Sequence, residues 1–174
     1  YWRQVLQCLR HPYVNMLRTQ DKDGNPLLLR DALRLLETHI REGARFVDMD
    51  ETVRSCRSQL PEALALLLEE ALDVLLHAPS AASTTKHMAD VLQNLCAFLR
   101  SRGGEMWKHF PLDAEAMYRL TRQAVPVLRE NLLSQTDFPL ITLQGMVREV
   151  LGQERIPFEA EPLTGLQVLG MLET

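Results

Sequence analysis

Aromatic side chains make up only 6% of the 174 residues, and no long stretch alternates β-branched with polar residues. Both scarcities argue against a sheet. Cysteine is nearly absent. Cys8, Cys56 and Cys96 are odd in number, widely spaced and without a CxxC pair, which excludes a disulfide framework and a zinc ribbon. Each reads as a small core filler, and a reducing, cytoplasmic compartment is expected. No apolar run approaches the ~20 residues that a membrane-spanning helix requires. Positive charge is not in excess either. Nineteen Lys and Arg against 23 Asp and Glu leave a net charge of −4. A self-standing, non-specific nucleic-acid binder normally carries the opposite sign, although one local basic patch remains compatible with this balance.

Leucine is what the chain has in quantity. There are 32, within an apolar fraction of 46%, which favours helices. A chain of this length buries roughly 70% of its unfolded surface and needs no metal or disulfide to hold it. Tyr1 to Leu9 reads as the end of a helix, and Pro12 opens a short one through Leu17. Asp21 to Pro26 is a tight polar turn. A helix from about Leu27 to Glu42 carries Leu29, Leu33, Leu36 and Ile40 on one face, with Glu37 and Arg41 paired at i,i+4. Arg45 to Val47 reads as extended, and Asp48 is placed to cap a helix from Met49 to Arg57. Pro61 starts a helix to about His77 whose polar strip is so narrow that it should be the most buried one. Ala78 to Thr85 is a loop of small residues.

The next helix, Thr85 to Ser101, bears Met88, Val91, Leu92, Leu95, Phe98 and Leu99, and Gly103 and Gly104 stop it. Leu112 and Asp113 begin a long helix, capped by Asp113, with Met117, Leu120, Ala124 and Leu128 inward. Pro126 should kink it where its ring meets the carbonyl of Arg122. Thr142 caps a last helix to about Gln153, with Leu143, Val147, Val150 and Leu151 inward. Two prolines and a glycine then break residues 156 to 165, and Leu166 to Leu172 reads as a single buried strand. A lone strand finds no sheet, and both ends read as cut, so a piece of a longer protein is expected. An unpartnered strand edge also invites self-association.

Motifs for chemistry are few. Asp21, Asp23 and Asn25 match the first positions of a calcium loop, but Pro26 and Ala32 stand where its glycine and bidentate glutamate belong. His11, His39, His77, His87 and His109 form no i,i+4 pair and no HExxH, so no metal site is indicated. No nucleotide-binding glycine loop and no GxSxG elbow occur. Gly103 and Gly104 read as a helix stop followed by a Trp107 anchor. His11 reads as a cap or packing residue, and Glu69 and Glu70 as the solvated strip of their helix. Lys86, His87, Arg100, Arg102 and Lys108 make one basic patch for DNA if the loop ends converge; left apart, they are a solvated rim.

The terminal run carries the most specific pattern. Ile156, Pro157 and Phe158, then Glu161, Pro162 and Leu163, then Gly165, Leu166, Gln167 and Val168, and finally Leu172, Glu173 and Thr174 resemble a segment of bacterial PD-(D/E)XK-nuclease-type DNA-repair proteins of the AddB/RecB-like helicase–nuclease group. Upstream, Leu9 to Tyr13 resembles the family's Leu-x-His-Pro-Tyr segment. Leu112 to Tyr118 and Thr142 to Glu154 resemble the two helices before the motif. In that family such a stretch joins a helical insertion to the first strand of a second helicase-like domain. Ala160 replaces an expected glycine, and the strand lacks the Thr-x-His of active helicases, which suits a non-hydrolysing region. The family's nuclease carboxylates and Walker motif would fall outside these positions, so no catalytic residue is carried over.

The expectation is therefore an all-α orthogonal bundle of about six or seven helices with a C-terminal strand-like segment. Residues 1–155 form a helical insertion subdomain, and 156–174 a linker and first strand of a following domain. Its expected role is non-catalytic: bracing the remainder of a helicase–nuclease chain or guiding DNA, without ATPase or nuclease activity, cofactor or membrane. The alternative is a helical protein-interaction scaffold with no nucleic-acid role. One groove containing Lys86, Arg102 and Lys108 would favour DNA; scattered basic residues would favour the scaffold.

Overall fold

The computed structural model describes residues 2–42 and 49–153. These are predominantly helical, as the leucine content and the scarcity of β-branched alternation require. The expected extended segment Arg45 to Val47, the Asp48 cap, and the motif and strand of 156–174 lie outside the described residues.

The chain enters through α1 (Trp2–Leu9) and α2 (Pro12–Asn15). His11 caps α2, its Nδ1 accepting from the Tyr13 N–H at 3.3 Å, and Pro12 occupies the first turn, where its missing N–H costs nothing. A small antiparallel hairpin follows, β1 (Arg18–Gln20) against β2 (Pro26–Leu28), with Thr19 opposite Leu27. The polar turn at Asp21 is thus the tip of a hairpin. The Asp21 carboxylate accepts from the N–H groups of Asp23 and Asn25 at 2.9 and 2.8 Å, and Gly24 takes φ +83°, open to glycine without cost. The strands are held at their base, where the Leu29 N–H donates to the Leu17 carbonyl at 2.8 Å and both leucine side chains are fully buried.

The helix α3 (Leu29–Glu42) therefore begins two residues later than its sequence suggests, and it buries Leu29, Leu33, Leu36 and Ile40 as its spacing requires. After α4 (Met49–Arg57), α5 (Glu62–Leu72) buries Leu64, Ala65, Leu67, Leu68, Ala71 and Leu72, the most thoroughly buried helix of the set. Glu69 and Glu70, on its polar strip, pair with Arg57 and Arg102. The chain does not loop out after His77. A wide π turn over Asp73–His77 leads directly into α6 (Ala78–Ala81).

The longest of the described helices, α7 (Thr85–Gly103), is capped by Thr84, whose hydroxyl accepts from the His87 N–H at 3.1 Å. Gly104, at φ +54°, ends it. Then come α8 (Met106–His109), α9 (Pro111–Arg119), a second π turn over Leu120–Ala124, α10 (Val125–Glu130) and α11 (Leu140–Gln153). Asp113 is not a cap, because Pro111 supplies the first turn and Phe110 precedes it. Nor is Thr142: α11 starts at Leu140, and the Pro139 carbonyl receives the N–H of Thr142 and Leu143.

The two π turns share a cause. In each, the N–H just before a proline reaches back five residues, Ala78 to Asp73 and Val125 to Leu120. Pro79 and Pro126 follow. A proline ring collides with the carbonyl four residues earlier in a regular helix; one widened turn gives it room, so both helices continue. The Pro126 discontinuity is where the sequence puts it, in this form.

Among the described residues, three apolar clusters stabilise the fold. The largest joins Leu6, Leu9, Leu17, Leu29, Leu36, Leu67 and Leu68 to Cys56 and Phe98; a second holds Met88, Val91 and Leu143; a third, Ala89, Val125 and Leu128. Fully burying one leucine contributes ~1.5–3 kcal/mol. Helix α7 supplies residues to all three clusters, which is why its apolar positions go round more than one face. Cys56 and Cys96 are the small buried fillers expected, but Cys8 is exposed: α1 turns Leu6 and Leu9 into the core and leaves Cys8 outside that face.

Candidate functional site

The five basic residues nominated from sequence do not form one patch. Lys86 and His87 sit in the first turn of α7 and Arg100 and Arg102 in its last. Fourteen residues separate Lys86 from Arg100, about 21 Å along the helix axis. Arg102 is paired with Glu70 and Lys108 with Glu105, each at 2.7 Å. The loop ends do not converge because α7 runs unbroken between them.

Arg100 belongs instead to a cleft that sequence reasoning did not assemble. It lies between α7 and the α9–π–α10 segment, holds about 480 Å³, and has Arg100, Arg122 and Arg129 on its walls together with Tyr118, Trp107 and Thr121. Packing of Ala89 against Val125 and Leu128 sets the separation of its walls. The wide turn before Pro126 carries Thr121 and Arg122.

The three arginines differ in their neutralisation. Arg129 donates to the Asp90 carboxylate and to Gln93 Oε1, both at 2.6 Å. Among the described residues, Arg100 and Arg122 have no carboxylate within ion-pair distance. The Arg122 guanidinium lies over the Tyr118 ring, 5.8 Å from its centroid, a cation–π arrangement. Tyr118 itself is 58% exposed. Trp107 is fixed: its indole N–H donates to the Leu99 carbonyl at 3.1 Å, and Tyr13 meets it edge-on at 5.4 Å between centroids.

Beside Arg100, the buried Cys96 thiol is pushed above its ordinary pKa by burial, opposed by a hydrogen bond with Thr121 and by the Arg100 charge. It stays a protonated thiol, a poor nucleophile. Tyr13 meets Trp107 and Phe110. Its hydroxyl bonds the Asp113 carboxylate, and that bond, with burial and the nearby charge, pushes its pKa up to about 12. The His-Pro-Tyr segment thereby ties α2 to α8 and α9 and fixes the Trp107 wall. Among the described residues no three His, Cys, Asp or Glu side chains cluster in a way that would hold a metal ion. No described helix is long and apolar enough to cross a membrane.

The arrangement sets one cation, Arg122, over one aromatic ring, Tyr118, in a cleft that Arg100 and Arg129 also line. One signal in the sequence points to it: Tyr118, Arg122 and Arg129 stand four and seven residues apart, the spacing of a single helix face. A scan of family models, a search of curated proteins and a search of solved structures each return no match for this chain.

Proposed function

We propose that the chain is a non-catalytic helical subdomain of a DNA helicase–nuclease of the AddB/RecB-like kind, and that it guides DNA past the helicase-like core. The family assignment rests on the resemblance of the terminal run and the His-Pro-Tyr segment. The observation that carries the DNA contact is the α7/α9–α10 cleft, where two guanidinium groups without carboxylate partners among the described residues share a mouth with exposed tyrosine. Phosphate backbones are bound by such cations with release of counterions, so affinity falls steeply with salt. Net acidity does not oppose this, because the local field of a cleft decides encounter.

A second reading, a protein-interaction scaffold, is favoured by the dispersal of Lys86, Arg102 and Lys108 and by the exposed apolar side chains Val127, Leu132, Leu133 and Ile141. Titration of the purified chain with DNA across a salt series separates the two. Micromolar binding that weakens steeply with salt supports the guide. Absence of binding at low salt transfers the role to bracing or partner docking.

A further inference from the structure

We infer that the α7/α9–α10 cleft is a stacking pocket for unpaired DNA, with Tyr118 as the base platform and Arg100 and Arg122 as phosphate contacts. This rests on the DNA-guiding function proposed above and specifies which form of DNA the cleft accepts. Phosphate contact alone would not distinguish strand from duplex, since both present phosphates outward. The aromatic groups do. A duplex hides its base faces within the stack, whereas a single strand offers every face to an exposed ring.

Tyr118 meets the requirement. The residue is more than half exposed, and the Arg122 guanidinium, unanchored by any carboxylate among the described residues, lies 5.8 Å from its ring centroid, so a base that displaces it from the ring face would have the cation beside it for the phosphate. Trp107 lines the same cleft and is held by its bond to Leu99. Most other arginines of this region are spoken for: Arg102 by Glu70, Arg119 by Glu115 and Arg129 by Asp90. Arg100 and Arg122 lack such partners among the described residues, and both line the same 480 Å³. Cation–π contact also lowers the cost of leaving Arg122 without a carboxylate. The π turn contributes by widening the helix where Thr121 and Arg122 face the cleft.

Anisotropy of a labelled oligothymidylate and of a duplex of equal length tests the inference, with Tyr118→Leu, Tyr118→Phe, Arg100→Ala and Arg122→Ala alongside the parent chain. Thermal melts establish that each variant is folded, and the exposure of Tyr118 makes its replacement benign. The strand is expected to bind more tightly than the duplex. Tyr118→Leu should weaken strand binding about five- to a hundredfold with the salt slope unchanged, and Tyr118→Phe should restore it. Each arginine variant should instead lower the salt slope by ~0.7. Equal affinity for strand and duplex with Tyr118→Leu silent overturns the stacking pocket and leaves DNA guiding intact. Displacement of the strand by polyglutamate as readily as by unlabelled strand also overturns it, as a general anion surface. Failure of both DNAs to bind at low salt overturns the pocket and the DNA function together.

Discussion

Alanine at Gly103 should destabilise the protein although Gly103 is helical. The ordinary expectation is the reverse, since alanine is better than glycine inside a helix by ~1 kcal/mol. A Cβ at Gly103 would fall 2.5 Å from Trp107 Nε1 and 2.9 Å from Met106 Cε. The Met106 methyl ends a flexible side chain and can turn aside, whereas the indole has little room to give. It is held between its 3.1 Å bond to Leu99 and the Tyr13 ring. Forcing a methyl group into packed surroundings costs ~1–3 kcal/mol, and losing the indole hydrogen bond ~1 kcal/mol more. After the helix gain is subtracted, a net loss of about 1–3 kcal/mol remains. For a chain of this size that lowers Tm by roughly 2–12 °C. Gly145, within α11, provides the control, because a Cβ there meets nothing within 4 Å. Gly145→Ala should raise stability by ~0.5–1 kcal/mol. Urea melts followed by circular dichroism, with Trp107 emission recorded in parallel, give both signs in one experiment. A Gly103→Ala protein as stable as Gly145→Ala would refute the packing described around Trp107.

Two pH dependences follow from named contacts. The hydrogen bond with Asp113 pushes the Tyr13 hydroxyl up from 10.0 to about 12; its stabilisation is complete below pH 10 and is lost as pH rises through 10 to 12. Tyr13→Phe should flatten the alkaline end of a stability–pH curve, and an unchanged slope there would contradict the contact. Glu37 is the opposite case. Its pKa is lowered first by the hydrogen bond from Arg10, with help from the charges of Arg10 and Arg41, so its contribution is present above the ordinary carboxylate range and is lost as pH falls through the lowered value. Glu37→Gln should reduce the acid sensitivity of unfolding and leave the alkaline limb alone. In the core, Leu36 is fully buried among leucines, and Leu36→Ala should cost about 2–5 kcal/mol in denaturant melts.

What could be read from the sequence divides by distance along the chain. The face of α3 and the burial of α5 follow from spacing within one helix, and both are present as written. The small hairpin was not legible, because strands of three residues are too short to show alternation, and the burial of Leu17 and Leu29 that holds them is tertiary. Pro79 reads as part of a loop because small residues surround it. The alternative, a widened turn that lets the helix pass, depends on α5 and α7 packing on either side. The basic patch failed for a similar reason: charges near two loop ends join only if the ends meet, and the length of α7 keeps them apart. The cleft joins Arg100 to Tyr118 and Arg122 through the packing of Ala89, Val125 and Leu128, and no local pattern encodes that contact. Only the helical spacing of its α9–α10 wall was open to inspection.

Trp107 lines the cleft that the proposed strand would enter, so it is placed to report the strand's arrival. With Trp2 replaced by phenylalanine, Trp107 becomes the sole indole of the chain, and its emission can be followed as oligothymidylate is added. A saturable change in Trp107 emission is expected, reversed by added salt and absent in the Arg100→Ala/Arg122→Ala double variant. Strand binding detected by anisotropy with Trp107 emission unmoved would place the strand elsewhere and contradict its entry into this cleft.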